Sequence, residues 1–182
     1  WPLTENLLVQ DLTVIGKAGT TTENLLVLQG GRNITVRRCG GRNLGIGVSL
    51  QYVEGASISD CWFEDANVFQ ASVGKGIHLS ECRAVQIHNF NAKGLKYCVT
   101  LEAGADATIQ GGVFINTGNA ATGLSWGSTC YVFQASGRSR LVVRDYTVTG
   151  HGGYVLGTTA IAGHPDYEGS IRFEGRLTLI HP

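Results

Sequence analysis

The amino-acid sequence predicts an all-β chain, a single-stranded right-handed parallel β-helix in which about six coils of three short strands stack as a solenoid. Three observations predict this fold. One short apolar pattern recurs along the chain, at steps of 22 to 34 residues. Glycine is frequent, with 26 of 182 residues, and proline occurs only 3 times, which is typical of a chain that turns often and stays hydrogen-bonded. No window shows sustained helical periodicity.

The recurring pattern contains two strands that meet at a corner. Apolar residues alternate with other residues on both sides of one turn-former, so every second side chain points to the same face. Asp, Asn and Gly tolerate the left-handed backbone geometry that such a corner needs. The copies are residues 7–14, 34–39, 56–63, 85–92, 107–114, 141–148 and a degenerate copy at 171–177, with corners at Asp11, Arg38, Asp60, Asn89, Gly111 and Asp145.

A further strand precedes most copies and completes each coil. We call it the first strand, and the strands on either side of the corner the second and third strands. The predicted first strands are residues 25–28, 48–52, 77–80, 99–102 and 131–134. A β-sandwich is the main alternative, but it would require antiparallel hairpins with two-residue turns. A calcium-binding roll would require a Gly-Gly-x-Gly-x-Asp repeat, which the sequence lacks.

Composition limits the possible partners. The chain carries 14 basic and 14 acidic residues, so its net charge is zero and offers no general attraction to nucleic acid or to an anionic membrane. No apolar run is long enough to cross a bilayer. We therefore expect neither partner. Because the sequence contains no methionine, we expect residues 1–182 to be one domain cut from a longer chain.

The five cysteines form neither a Cys-x-x-Cys motif nor a zinc-spaced cluster with histidine, so we predict no metal site and no cofactor. Cys39 and Cys61 each follow a corner directly, at the same position of successive copies. Unpaired cysteine packs in proteins as a small hydrophobic residue. Buried free thiols stacked in the core are therefore favoured over a disulfide.

The coil pattern, from about residue 7 to residue 179, resembles the pectin-lyase-like superfamily and is most similar to phage tailspikes and polysaccharide depolymerases. The resemblance implies a homotrimer in the virion tail or outside the cell that binds, and cleaves, bacterial capsule or lipopolysaccharide chains. Two alternatives stay open: a non-catalytic shaft or adhesin-type carbohydrate-binding module, and a secreted lyase or epimerase. The Asn-Thr-Asp and Asp-Asp motifs of plant-cell-wall enzymes are absent, and His151 lies between glycines without accompanying carboxylates, which argues against the polygalacturonase mechanism.

Function is expected on outward side chains, because the interior of a solenoid is filled. The alternation predicts one outward row or pair of rows for each strand position. These side chains are Gln29, Ser49, Gln51, His78, Ser80, Thr100, Glu102, Val132 and Gln134 on first strands, Gln10, Arg37, Ser59, His88, Gln110, Arg144 and Glu174 on second strands, and Thr13, Trp62, Asn91, Val113 and Thr147 on third strands.

The candidate catalytic residues are Glu102, Glu81 and His78. Glycoside hydrolysis uses two carboxyl groups, roughly 5–5.5 Å apart for retention and roughly 6.5–9.5 Å for inversion, and stacked strands lie about 4.8 Å apart. Glu81 and Glu102 follow successive first strands, with Glu54 one coil earlier. If the chain is an enzyme, we expect a glycoside hydrolase rather than a lyase, with like charges raising one carboxyl pKa. The competing interpretation is solvated turn residues, because Glu102 aligns with Ser80 instead of Glu81.

The candidate carbohydrate-binding residues are Trp62, Gln51, Gln134, Trp126 and Arg144. An exposed indole stacks on a sugar ring or packs in a subunit interface, and both roles stay open for Trp62 and for Trp126 in the loop 116–129. The guanidinium of Arg144 suits the carboxylate of an acidic sugar. Gln51 and Gln134 are outward hydrogen-bonding side chains of the first strands.

Overall fold

The structure, a computed structural model, describes residues 3–17, 23–65, 74–115, 131–150, 154–159 and 169–180. All regular secondary structure within these ranges is β, which confirms the predicted class. The strands are β1 (Thr4–Glu5), β2 (Leu8–Gln10), β3 (Thr13–Ile15), β4 (Asn24–Arg37), β5 (Gly40–Arg42), β6 (Ile46–Ser59), β7 (Trp62–Glu64), β8 (Lys75–Ser80), β9 (Arg83–His88), β10 (Asn91–Lys93), β11 (Tyr97–Glu102), β12 (Asp106–Ile115), β13 (Tyr131–Ser136), β14 (Arg140–Thr149), β15 (Tyr154–Thr159) and β16 (Ser170–Ile180).

The strands pair in parallel as three ladders within one open sheet. The first-strand ladder joins β4, β6, β8, β11, β13 and β15. The second-strand ladder joins β2, β4, β6, β9, β12, β14 and β16. The third-strand ladder joins β3, β5, β7, β10, β12, β14 and β16. The long strands belong to two ladders each, because they continue around a corner.

The predicted register of the second strands is confirmed at every step. The outward residues pair along the ladder in the order Gln10, Arg37, Ser59, His88, Gln110, Arg144 and Glu174. A slip of one residue would turn every side chain of a strand to the opposite face. The apolar pattern therefore specifies the register wherever one face is buried.

The six predicted corners all adopt left-handed backbone geometry. Their φ angles lie between 49° and 70°, at Asp11, Arg38, Asp60, Asn89, Gly111 and Asp145. Polar side chains at neighbouring corners bond to each other: Asn89 donates to the carboxylate of Asp60 at 2.8 Å. The corner prediction is confirmed, and these Asp and Asn residues provide the left-handed backbone geometry of the corners.

The first and second strands are less separate than predicted. In β4 and β6 the chain continues as one 14-residue strand across the place of the expected turn. Two left-handed residues redirect the chain there, Gly30 with φ 79° and Asn33 with φ 54° in β4, and Tyr52 with φ 55° and Gly55 with φ 69° in β6. Pairing continues on both sides of these residues, so no loop is needed.

The core is filled by the inward side chains of the three ladders. Aromatic rings from successive copies contact each other, with centroids 5.8 Å apart between Phe63 and Phe90 and 5.5 Å apart between Phe90 and Phe114. Cys39 and Cys61 are buried free thiols, as predicted. Burial raises the pKa of the Cys61 thiol to about 11, so this group is inert at neutral pH.

Two residues predicted to face outward are buried. Thr100 and Val132 are both fully inaccessible to solvent. The hydroxyl of Thr100 donates to the carbonyl of Ile77 at 3.4 Å, which satisfies its polar atom. Alternation along a strand assigns a side chain to one face of a sheet, and it does not specify whether that face is covered.

Candidate functional site

Two rows of outward side chains cross neighbouring first strands in register, and we call this surface the first-strand face. Ile77 and Leu79 are fully buried, so the alternation of β8 turns His78 and Ser80 outward. Neighbouring strands are about 4.8 Å apart, so successive side chains within a row have about that separation. One row is Ser49, His78 and Gln134, interrupted by the buried Thr100, and the other is Gln29, Gln51, Ser80 and Glu102.

Glu102 lies between two basic side chains of β8. Its carboxylate is 3.3 Å from Lys75 Nζ and 3.4 Å from His78 Nε2. The side chain of Lys75 is only 11 % exposed. His78, followed by the charge of Lys75, lowers the pKa of Glu102 to about 2 despite partial burial. The expectation that like charges raise a carboxyl pKa is therefore wrong for Glu102, which is a stable anion at neutral pH.

His78 connects Glu102 to a hydroxyl group. Its Nδ1 lies 3.3 Å from Ser49 Oγ, on the neighbouring strand β6. Its Nε2 is buried and faces the Glu102 carboxylate, but the N–H is not aligned for a full hydrogen bond. Ser49, His78 and Glu102 form a continuous polar chain across β6, β8 and β11.

Glu81 belongs to a different group of side chains. It lies at the corner after β8, with φ 52°. Its carboxylate accepts a hydrogen bond from Tyr52, and this bond raises the pKa of the tyrosine. Glu102 pairs with Ser80, as the sequence alignment of the coils predicts. Glu81 and Glu102 are thus held by separate partners, although they lie at the ends of the neighbouring strands β8 and β11.

Tyr52 is a surface residue that the sequence analysis did not select. It is 49 % exposed at the corner of β6, directly after the outward Gln51. With Glu54, Glu81 and Arg83 it borders an open groove of about 420 Å³ beside the first-strand face. Tyr52 aligns with Gly30 of β4, and both residues have left-handed backbone geometry. This alignment with a glycine is the signal in the sequence that could have identified Tyr52 as a residue at a bend.

Trp62 lies on the third-strand ladder, away from Glu102. Its indole lies across Gly40, and a β-carbon at that glycine would collide with the ring. Trp62 is therefore only partly exposed, beside a shallow pocket of about 190 Å³ that Val113 and Ile115 also line. Both roles suggested for this indole, sugar stacking and subunit contact, stay open.

The remaining predicted carbohydrate-binding residues are dispersed. Arg144 lies on the second-strand ladder, where its guanidinium binds Glu174 at 2.6 and 2.7 Å and lowers the pKa of that carboxyl group. Gln51 accepts a hydrogen bond from Gln29 at 3.3 Å on the first-strand face. Gln134 lies on the same face, next to Thr100. Trp126 lies outside the described residues.

The described part of the chain contains no group of three or more His, Cys, Asp or Glu side chains placed to hold a metal ion. It contains no helix that is long and apolar enough to span a membrane.

Comparisons of the chain with protein-family models, curated protein sequences and solved structures find no match. The function is therefore inferred from the geometry of the ladders and from the side chains of the first-strand face.

Proposed function

We propose that this chain is a right-handed parallel β-helix of the phage-tailspike kind, and that its first-strand face binds bacterial surface polysaccharide. The observation that carries the proposal is the regular row of hydrogen-bonding side chains, Gln51, Ser80 and Glu102, paired strand to strand. A row that continues over several strands suits an extended polymer. A small ligand would instead require a concave pocket that encloses most of its surface.

The corner groove supports a carbohydrate ligand. Tyr52 presents an exposed ring next to the polar row, and its hydroxyl is held by Glu81. A ring with one polar end stacks on the apolar face of a sugar while the polar row bonds to hydroxyl groups. Arg83 and Glu54, on the same groove, would bond to further polar substituents.

Binding is better supported than glycoside hydrolysis by Glu81 and Glu102. The general acid of a glycosidase needs a raised pKa so that it holds a proton at neutral pH. Lys75 and His78 keep Glu102 ionised instead. The pair of glutamates would therefore require Glu81 to supply the proton, and its carboxylate is engaged with Tyr52.

Affinity electrophoresis with a panel of capsular and O-antigen polysaccharides tests the proposal. At least one polysaccharide should retard the chain during electrophoresis. The double substitution Gln51→Ala and Tyr52→Ala should raise the dissociation constant obtained from this retardation about ten-fold, because two hydrogen-bonding or stacking contacts are lost. Gln110→Ala is the matched control, since Gln110 is an exposed outward glutamine of the second-strand ladder. Retardation by no polysaccharide, or an equal effect of Gln110→Ala, would contradict the proposal.

The proposed assembly is a homotrimer, as in the tailspikes that the sequence resembles. Partly exposed apolar residues on the third-strand ladder, Val113 and Ile115 beside Trp62, are the surface that supports it. Sedimentation equilibrium should give three times the chain mass of 19.4 kDa. A monomer at micromolar concentration would contradict a trimer of this chain.

A further inference from the structure

We propose that Ser49, His78 and Glu102 act as nucleophile, general base and orienting carboxylate in the hydrolysis of acyl esters. The natural substrates that we infer are O-acetyl groups on the bound polysaccharide, and this identification of the substrate rests on the proposed function. The relay itself rests only on the geometry of β6, β8 and β11.

The three side chains are in contact in the required order. Ser49 Oγ is 3.3 Å from His78 Nδ1, and His78 Nε2 is 3.4 Å from Glu102 Oε2. A nucleophile and its base normally lie within hydrogen-bond reach, often somewhat farther apart without substrate, and a third group orients the base. Each residue comes from a different strand of one ladder, so the backbone holds all three in place.

The carboxylate determines which imidazole nitrogen carries the proton. An anion facing Nε2 favours the proton on that nitrogen, which leaves the lone pair of Nδ1 directed at Ser49. Lys75 keeps Glu102 anionic by contacting its other carboxylate oxygen, Oε1, at 3.3 Å. The two imidazole nitrogens therefore have distinct roles, with Nδ1 as the base, the reverse of their order in the serine proteases.

The location of the relay favours an ester over a glycosidic bond. Ser49 and His78 are partly exposed on an open face, which a substituent projecting from a polymer can reach. Cleavage of a glycosidic bond would need a protonated carboxyl group for the leaving oxygen, whereas Glu102 is ionised. Acyl transfer to a hydroxyl nucleophile assisted by a base needs no protonated carboxyl group.

The reaction balances without any further reactant except water. Ser49 Oγ attacks the ester carbonyl carbon while its proton passes to His78 Nδ1. The tetrahedral intermediate then breaks the bond between the acyl carbon and the sugar oxygen, and that oxygen takes the proton from His78. Water, deprotonated by the same nitrogen, attacks the acyl-serine, releases acetate and restores the serine hydroxyl.

A fluorophosphonate probe followed by intact-mass and peptide mapping tests the relay. We expect one covalent adduct, on Ser49, and hydrolysis of p-nitrophenyl acetate above the buffer rate. Ser49→Ala and His78→Gln should each remove both signals. Ser57→Ala should keep them, since Ser57 is an outward serine of the same strand that pairs with Gln86 instead of a histidine. An unlabelled Ser49, or equal hydrolysis by Ser49→Ala, overturns the relay.

The role of Glu102 has a separate readout, because it acts through His78. With p-nitrophenyl acetate as substrate, which is too small to reach along the polysaccharide-binding row, Glu102→Gln should lower kcat about 100-fold and leave KM unchanged, since the amide does not stabilise the imidazolium that forms during attack. An unchanged kcat, or a loss confined to KM, overturns its assignment as a positioning residue.

The substrate identification is tested with an O-acetylated polysaccharide that the chain retards, by following acetate release with proton NMR. Release by the wild type and not by Ser49→Ala supports the inference, whereas Ser49 labelling without release overturns the substrate class alone. Polysaccharide binding without Ser49 labelling overturns the relay and leaves the proposed function intact. Labelling without any polysaccharide binding overturns the proposed function and leaves the relay.

Discussion

At the scale of the residue, the charge of Glu102 shows how neighbouring strands determine the chemistry of a side chain. Both of its basic partners, Lys75 and His78, come from β8. The 29-residue step that relates Ser59 to His88 on the second-strand ladder also relates Ser49 to His78. The contact of Ser49 with His78 was therefore predictable by aligning the coils. No pattern in the sequence indicates that Lys75 reaches Glu102.

The lowered pKa of Glu102 predicts an acid-dependent loss of stability. The carboxyl group has its usual pKa of 4.5 when unfolded and about 2 when folded. The contribution of ionised Glu102 to the free energy of unfolding is fully present above pH 4.5 and is lost as the pH falls towards 2. Because the side chain is 42 % exposed, solvent screening limits this contribution to about 1 kcal/mol.

Urea unfolding at pH 6 and pH 3 measures this effect. The stability of the wild type should fall more between the two pH values than that of Glu102→Gln, by up to about 1 kcal/mol. Glu54→Gln is the control, since it removes a carboxylate that is 66 % exposed. An identical pH dependence of Glu102→Gln and the wild type would show that Glu102 does not contribute.

At the scale of the element, the corner between the second and third strands of β12 depends on two glycines with different requirements. Gly111 has φ 70° with no atom near the position of a β-carbon. Gly112 has φ 136°, and a β-carbon there would collide with the carbonyl of Phe90 and crowd the hydroxyl of Tyr146. The buried Tyr146 hydroxyl donates to that same carbonyl. The second glycine therefore makes room for a hydrogen bond in the core.

Substitution of the two glycines should separate these requirements. Gly112→Ala should destabilise the fold by about 3 kcal/mol or more, because backbone strain and a steric collision add together. Gly111→Ala should cost only about 1 kcal/mol, the penalty of a left-handed alanine in open space. The midpoints of urea unfolding measure both. Equal losses of stability would mean that the collision at Gly112 is relieved by movement of the backbone.

At the scale of the whole molecule, stability depends on contacts between neighbouring strands. Within the described residues, β6 pairs with β4, β8 and β9, whereas β16 pairs only with β14. Apolar side chains are exposed at both ends of the ladders, including Leu8 and Ile15 at one end and Ile180 at the other. Repetitive folds of this kind have strand stabilities that add along the stack, and their terminal units are the least stable.

Hydrogen exchange followed by mass spectrometry should therefore show a gradient of protection. Amides of β6, β9 and β12 should exchange at least about ten-fold more slowly than those of β2, β3 and β16, because central strands open only when several pairings are lost. Peptides from β12, with 10 residues, and β16, with 11 residues, provide the comparison. Uniform protection along the chain would indicate a single cooperative unit instead.

The sequence by itself determined the β class, the parallel register of the second strands, the left-handed corners and the free core thiols. These features are local or repeat with the coils: alternation selects the face of each side chain, and a turn-former marks each corner. Only the tertiary structure decided that Thr100 and Val132 are buried, that Tyr52 is exposed and that Glu102 contacts Lys75 and His78. Those outcomes depend on which distant segments cover a face and on how far long side chains reach across strands. The two-residue alternation of apolar and polar residues along a strand specifies neither of them.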